Sequence, residues 1–197
     1  MTADPVDWDA RYAAQTTPWD LGGPVPLLTE ALDEGRLGRP GTALVPGAGR
    51  GYDAGALAAA GWSVTAVDLS PTAAGYSAEH HPAVSSAVGD ALDTAFVLER
   101  TGGPVDLLWD HTFFCAVPLE LRPRVAELAD AVVTTGGLLA SCVFPIGRPA
   151  SEGGPPYAYD VDDLGALLEG FEQVHVGPEV TVPTRAWPHR LALWRRL

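Results

Sequence analysis

Residues 43–68 read ALVPGAGRGYDAGALAAAGWSVTAVD. A short apolar run, Ala43 to Val45, leads into Gly47, Gly49 and Gly51. Residues 52–60 are rich in Ala and Leu, which favour helix, and Gly61 suits the helix end. Ser63 to Val67 is a β-branched run ending on Asp68. The expected order is strand, glycine turn, helix, strand. Glycines after a strand let the backbone turn sharply and approach a ligand closely. The following helix presents free N–H groups there. An acid at the tip of the second strand accepts hydrogen bonds from both hydroxyls of a ribose. The stretch therefore reads as a site for a nucleoside-containing cofactor.

The glycine spacing narrows the choice. Dinucleotide sites expect G-x-G-x-x-G, whereas this turn is G-A-G-R-G with Tyr52 where the third glycine would stand. The pattern resembles the first motif of S-adenosylmethionine-dependent methyltransferases. An ordinary strand–turn–helix connection and a degenerate nicotinamide site are the alternatives that this segment leaves open.

Composition sets outer bounds. A length of 197 residues, 47% of them hydrophobic, fits one globular domain with a real core. Acids outnumber bases 25 to 12, for a net charge of −13. That balance argues against nucleic-acid phosphates and against anionic membrane surfaces, but not against a cationic ligand. Cys115 and Cys142 sit in apolar runs without metal-ligand spacing. They are expected as buried free thiols in a cytoplasmic protein, with no metal. Neither a leader segment nor a membrane-spanning run is expected.

Outward from the glycine turn, residues 1–40 form an expected helical cap on a core of residues 41–197. Asp4 is placed to cap a helix with Pro5 at its first position. Trp8 and Tyr12 are four apart and share a helical face, and Trp19 follows Pro18 in a turn. Locally these rings read as packing. The sharper alternative is a roof for a cation, which gains from an aromatic face. A second helix is expected from Leu27 to Gly35. Ser70 caps a helix with Pro71 first, running to His80. Val84 to Val88 is the third strand. Asp90 after it either meets an adenine amino group or caps the next turn.

Val105 to Trp109 is an unalternating apolar run, as in a central parallel strand, and it delivers Asp110 and His111 to the rim of the crevice. Phe113 and Phe114 supply apolar walls. A helix from Leu119 to Val133 is expected to stop at Gly136-Gly137, before a strand from Leu138 to Phe144. A loop spans Gly147 to Pro156, with Tyr157 and Tyr159 after it. A helix from Val161 to Glu169, capped by Asp160, precedes strands at Phe171–Val176 and Leu191–Trp194. Alternation of strands and helices implies an α/β fold, and the last short connection implies an antiparallel final pair.

Trp8, Tyr12 and Pro18-Trp19-Asp20, then V-P-G-x-G-x-G-x-D at 45–53, F-F-C-A at 113–116, Arg122-Pro123, G-G-P-P-Y at 153–157 and Pro183-Thr184-Arg185 occur in this order. Together they resemble the thiopurine S-methyltransferase family, and within it the thiol and halide methyltransferase branch. The resemblance implies a Rossmann-like class I methyltransferase fold. That fold has a seven-stranded, mostly parallel sheet with a reversed last strand, helices on both faces and an N-terminal helical cap. It implies S-adenosyl-L-methionine as donor, S-adenosyl-L-homocysteine as product, no metal, and a small soft acceptor such as a thiol, hydrosulfide, thiocyanate, halide or thiopurine. A monomer without nucleic-acid or membrane partners is expected, with a weak dimer as the alternative. Same-fold O- or N-methylation and a non-catalytic cofactor-binding protein are the rival functions.

By position in the motifs, the cofactor residues implied are Trp8, Tyr12, Trp19, Gly47, Gly49, Gly51, Asp68, Leu69, Asp90, Ala91 and Asp110. Phe113, Phe114, Arg148, Tyr157 and Tyr159 are the expected acceptor pocket, and His111 and Tyr157 the catalytic candidates. Arg148 and Arg185 either attract an anionic acceptor or are solvated loop residues. Cys115 reads as a small hydrophobe rather than a methyl carrier.

Overall fold

The computed structural model describes residues 6–197. The Asp4-Pro5 cap lies outside the described residues. The first helix, α1 (Trp8–Ala13), takes Asp7 as its N-cap, whose carboxylate accepts from the Ala10 N–H at 2.9 Å. A second helix, α2 (Pro26–Asp33), precedes β1 (Thr42–Pro46), α3 (Tyr52–Ala59), β2 (Ser63–Asp68), α4 (Pro71–His80) and β3 (Ser85–Val88). The chain continues through α5 (Thr94–Thr101), β4 (Val105–His111), α6 (Arg122–Val132), β5 (Val133–Val143), α7 (Val161–Gly165), β6 (Phe171–Val176) and β7 (Arg190–Arg196).

The strands form one seven-stranded sheet in the order β3-β2-β1-β4-β5-β7-β6. The first five strands run parallel, and β7 lies antiparallel to both β5 and β6. From β1 the chain moves outward to β3, then returns to place β4 on the other side of β1. The carboxyl ends of β1 and β4 therefore open a crevice at the point where the winding reverses.

Side chains of successive strand residues point to opposite faces, and each face has its own apolar core. Leu44 and Leu108 pack with Leu128 of α6 and Leu164 of α7 on one side. Ala43, Val45, Leu107 and Trp109 pack with Leu28 of α2 and Leu57 of α3 on the other. Burial on both faces explains why the centres of β1, Ala43 to Val45, and β4, Leu107 to Trp109, are apolar without alternation. Among the described residues no helix is long and apolar enough to cross a membrane.

Three elements differ from expectation. Helix α5 lies outside the elements expected from the sequence. It is a short element, capped by the Asp93 carboxylate on the Phe96 N–H and closed by Gly102 in the left-handed region, with Val97 its one buried residue. The strand β5 begins at Val133, not Leu138. The β-branched run Val132-Val133-Thr134-Thr135 prefers extended backbone, so α6 ends before the glycines reach it. Gly136 and Gly137 instead serve a bulge, where β4 advances from Val105 to Leu107 while β5 advances from Val133 to Leu138. A Cβ on Gly137 would lie 2.9 Å from the Thr134 carbonyl oxygen and 3.0 Å from that of Asp106. Helix α7 stops at Gly165 rather than Glu169, with Asp160 and Asp163 forming a capping box.

Ser70 caps α4 as expected, accepting from the Ala73 N–H. Gly51 caps α3 at φ +79°, against Ser77 of α4. Gly51→Ala is expected to lower stability by about 1–2 kcal/mol, because an alanine there takes on left-handed strain and its methyl runs into the Ser77 hydroxyl. Urea unfolding of the two proteins measures the difference.

Candidate active site

The carboxyl ends of β1, β2 and β4 and the N-terminal segment enclose a cavity of about 1170 Å³. Gly47 and Gly49 form its floor, both at φ +56°. Their missing side chains make room for rings as well as for a ligand. A Cβ on Gly47 would sit 3.0 Å from the Phe113 ring, and one on Gly49 2.6 Å from the Tyr12 hydroxyl.

Asp68 ends β2 beside this floor and is 8% exposed. Its Oδ2 accepts from the Gly49 N–H and its Oδ1 from the Ser70 N–H, each at 2.8 Å. Burial pushes the carboxyl above its ordinary range. The two N–H donors oppose that shift and the charge of Asp9 adds to it. A carboxylate has about four acceptor positions, so two remain for a ligand. Leu69 and Asp90 stand exposed at the rim, and Ala91 is buried beside them. One Asp90 oxygen accepts from the Leu92 N–H at 2.8 Å, the turn-capping role.

The aromatic cap sits above. Trp19 meets Trp8 edge-on at 5.3 Å and Tyr12 at 5.8 Å, and its indole N–H donates to the Tyr12 hydroxyl at 3.0 Å. Burial pushes the Tyr12 phenol well up, so it stays neutral. Three polar ties hold the cap in place. The Asp9 carboxylate accepts from the Ser70 hydroxyl at 2.5 Å and the Thr72 N–H at 2.9 Å. Asp20 accepts from Arg50 at 2.8 Å. The Trp19 carbonyl accepts from Arg185.

Beneath the opposite wall lies Asp53, a buried residue of α3 that the sequence marked only as the end of the glycine motif. Its Oδ1 accepts from the Val25 N–H at 2.8 Å. Its Oδ2 accepts from Trp109 Nε1 at 2.9 Å and lies 2.8 Å from His111 Nδ1. Burial alone would raise the carboxyl. The His111 charge and the hydrogen bonds from His111, Trp109 and Val25 outweigh it and hold the carboxyl below its ordinary value. His111 lines the cavity.

Trp8, Tyr12, Trp19, Gly47, Gly49, Asp68, Leu69, Asp90 and Ala91 all line the cavity, as do His111, Phe113, Arg148 and Tyr157. Four expected residues are placed elsewhere. Gly51 backs onto α4. Asp110 is buried behind the wall, and its carboxylate is taken up by the Phe113 and Phe114 N–H groups at 3.1 and 3.0 Å and by the Ser141 hydroxyl at 2.6 Å. Phe114, 1% exposed, packs in the core against Tyr159, with ring centroids 4.7 Å apart. Tyr159 is buried too, its hydroxyl 3.1 Å from that of Ser141. The Arg122 guanidinium lies over both rings, at 4.5 and 5.4 Å. Phe114 and Tyr159 are thus core residues and not pocket walls.

The basic residues divide as well. Arg148 borders the cavity, but its guanidinium turns onto its own loop, to Glu152 at 3.1 Å and the Pro156 carbonyl. Arg185 is half-buried over the Phe144 ring at 5.1 Å, and its Nε meets no partner among the described residues. Burial lowers its pKa from the usual guanidinium value. The Cys115 thiol also borders the cavity, and burial, reinforced by Asp110, pushes it far up. A thiol so held is a poor nucleophile. Among the described residues no group of His, Cys, Asp and Glu is arranged to hold a metal ion.

A model of the thiopurine S-methyltransferase family matches residues 3–185. Over 193 residues the chain is 34% identical to a probable thiol methyltransferase of Arabidopsis thaliana, covering 96% of this chain and 84% of the relative. It is 31% identical to a thiocyanate methyltransferase of the same plant, over all of this chain and 87% of the relative. Among solved structures it is similar to the 1,6-didemethyltoxoflavin-N1-methyltransferase of Burkholderia thailandensis, bound to 1,6-didemethyltoxoflavin and S-adenosylhomocysteine. The TM-score there is 0.71 at 20% identity, covering 99% of this chain and 93% of that one. At that identity the likeness shows the fold.

The Asp53 hydrogen bonds carry a stability consequence. Its folded pKa lies below the ordinary 3.8, so its contribution is complete above that value and is lost as pH falls through the folded one. Asp53→Asn is expected to cost about 1–3 kcal/mol at pH 7, with the difference from wild type shrinking below about pH 4. Denaturant unfolding across pH 3–7 checks both.

Proposed function

The chain belongs to the thiopurine S-methyltransferase family, and on that footing we propose that it transfers the methyl group of S-adenosylmethionine to a small soft nucleophile: a thiol, hydrosulfide, thiocyanate, halide or thiopurine. The observation that carries this reading is Asp68. A carboxylate at the tip of the second strand, fixed by two backbone N–H groups and with two acceptor positions left, stands in a cavity between a glycine floor and three aromatic rings.

These residues fit the donor. Asp68 would take the ribose hydroxyls. Leu69, Asp90 and Ala91 would flank the adenine, and the Gly47–Gly49 floor would admit the methionine part. Trp8, Tyr12 and Trp19 would roof the sulfonium, whose charge gains from their faces. The donor supplies a methyl group already activated on a positive sulfur.

The protein's part is positioning and exclusion of water. Phe113 and Tyr157 give the acceptor side apolar walls, and the Arg185 guanidinium offers a cation near it. Attack by an anion on a sulfonium neutralises charge, so a dry pocket favours the transition state over the separated ions. The buried Cys115 and Cys142 thiols suit a reducing cytoplasm.

Incubation with methyl-labelled donor and iodide, thiocyanate, hydrosulfide, thiophenol or a thiopurine tests the reading. Labelled methyl product from at least one acceptor is expected, and none from any would overturn it. Asp68→Ala is expected to weaken S-adenosylhomocysteine binding more than about tenfold, the loss of a charge-assisted hydrogen-bond pair. Calorimetry reads the dissociation constant, and an unchanged value would contradict the ribose role.

A further inference from the structure

We propose that Asp53 orients His111 as the proton acceptor of this site, so that a protonated acceptor is deprotonated where it is methylated; this rests on the reading of the site as a methyltransferase. Asp53 is the positioning residue, and His111 is the group that meets the acceptor.

The geometry fixes which ring nitrogen is free. An ionised carboxylate only accepts hydrogen bonds, and the contact between Asp53 Oδ2 and His111 Nδ1 is 2.8 Å. The proton therefore sits on Nδ1. Nε2 is left as the basic lone pair of a ring in the cavity wall, buried and without a hydrogen-bond partner among the described residues. Trp109 Nε1 holds the same carboxylate oxygen and the Val25 N–H holds the other, so the carboxylate cannot swing away. A hydrogen-bonded carboxylate that sets the tautomer of a catalytic imidazole recurs on unrelated folds.

The backbone beside the ring is strained. Thr112, next after His111, has φ +65°, and its hydroxyl donates to the His111 carbonyl at 2.6 Å. A β-branched residue in the left-handed region is an outlier, and such strain gathers at functional sites.

The other groups around His111 do not compete for the role. Asp110 precedes it on β4, with its carboxylate taken up by Ser141 and two N–H groups. Across the strand pair lies Cys142, whose thiol burial pushes up. The His189 ring is centred 6.3 Å away. Burial, with the nearby His111 and Arg185 charges, brings its pKa down to about 3, so it stays neutral. Arg185 lies at the cavity and interacts electrostatically with Asp53.

With a thiol acceptor the step balances as follows. The S–H proton passes to Nε2, and the freed sulfur pair forms the new S–C bond. The donor's C–S bond breaks with its electrons kept by the donor sulfur, and the imidazolium returns its proton to water. Iodide and thiocyanate carry no proton and need none of this.

The test compares wild type, His111→Gln and Asp53→Asn with thiophenol, a thiol of higher pKa and iodide across pH 6–9. His111→Gln leaves Asp53 holding Trp109 and Val25, so it keeps its fold where Asp53→Asn fails. The thiol-to-iodide rate ratio for the high-pKa thiol is expected to fall about 10²–10⁴-fold near neutral pH. The deficit should close as pH approaches that thiol's own pKa, and thiophenol should show less of it. Imidazole ¹⁵N spectra of the donor-free protein are expected to show His111 protonated at Nδ1 in wild type and shifted toward the Nε2–H tautomer in Asp53→Asn. An equal loss with thiol and iodide, no loss with the thiol, or an Nε2–H tautomer in wild type would overturn the dyad while iodide turnover left the methyltransferase reading standing. No turnover with any acceptor would overturn both.

Discussion

A single buried carboxylate joins three parts of this molecule. Asp53 takes hydrogen bonds from the chain entering α2, from Trp109 on β4 and from His111 at that strand's end. An ion buried without partners carries a penalty of several kcal/mol, so the arrangement persists only because every oxygen is engaged. Removing any one donor leaves the others holding a less satisfied charge. The N-terminal cap, α3 and the His111 wall of the cavity are thereby made to depend on one another. The same helix N-terminus sits over the Gly47–Gly51 turn, so the floor of the cavity and its far wall share a mechanical reference.

The fold was legible wherever local chemistry and tertiary need coincided. The run from Ala43 to Asp68 becomes β1, α3 and β2 within a residue or two, and Ser70-Pro71 starts α4 as its residue types require. Legibility failed where long-range packing decided. Helix α5 has only Val97 to bury, too little periodicity to announce itself. Gly136-Gly137 looks like a helix stop but belongs to a bulge whose partner, β4, is thirty residues upstream. Phe113 and Phe114 are adjacent and alike. The short turn that follows β4 sends one ring into the cavity and the other into the core, and no spacing in the sequence distinguishes them. Tyr157 and Tyr159 separate in the same way, the second drawn inward by the Ser141 hydroxyl and the Arg122 guanidinium. Asp53 was visible as the last residue of a motif, but its partners come from Val25, Trp109 and His111, which only the folded chain assembles.

Charge acts at two ranges in this protein. A net charge of −13 favours approach of a cationic donor and disfavours an anionic acceptor. Close to the cavity the balance differs. The Arg148 charge is offset by Glu152, and that of Arg50 by Asp20. Among the described residues Arg185 meets the Trp19 carbonyl and the Phe144 face, with no carboxylate partner. The long-range field thus favours a cation, while the guanidinium of Arg185 is held half-buried at the cavity.

The aromatic cap brings these strands together. Trp19 touches Trp8 and Tyr12 through its ring, Arg185 through its carbonyl and, by way of Asp20 beside it, Arg50 of the glycine turn. Each tie is modest alone, about 0.5–1.5 kcal/mol for a typical hydrogen bond, and most are partly open to solvent. The cap is thus held by several modest bonds acting in parallel. The turn that carries Trp19 also pins Arg185, which donates to the Trp19 carbonyl, so one segment holds both the aromatic roof of the cavity and its half-buried guanidinium.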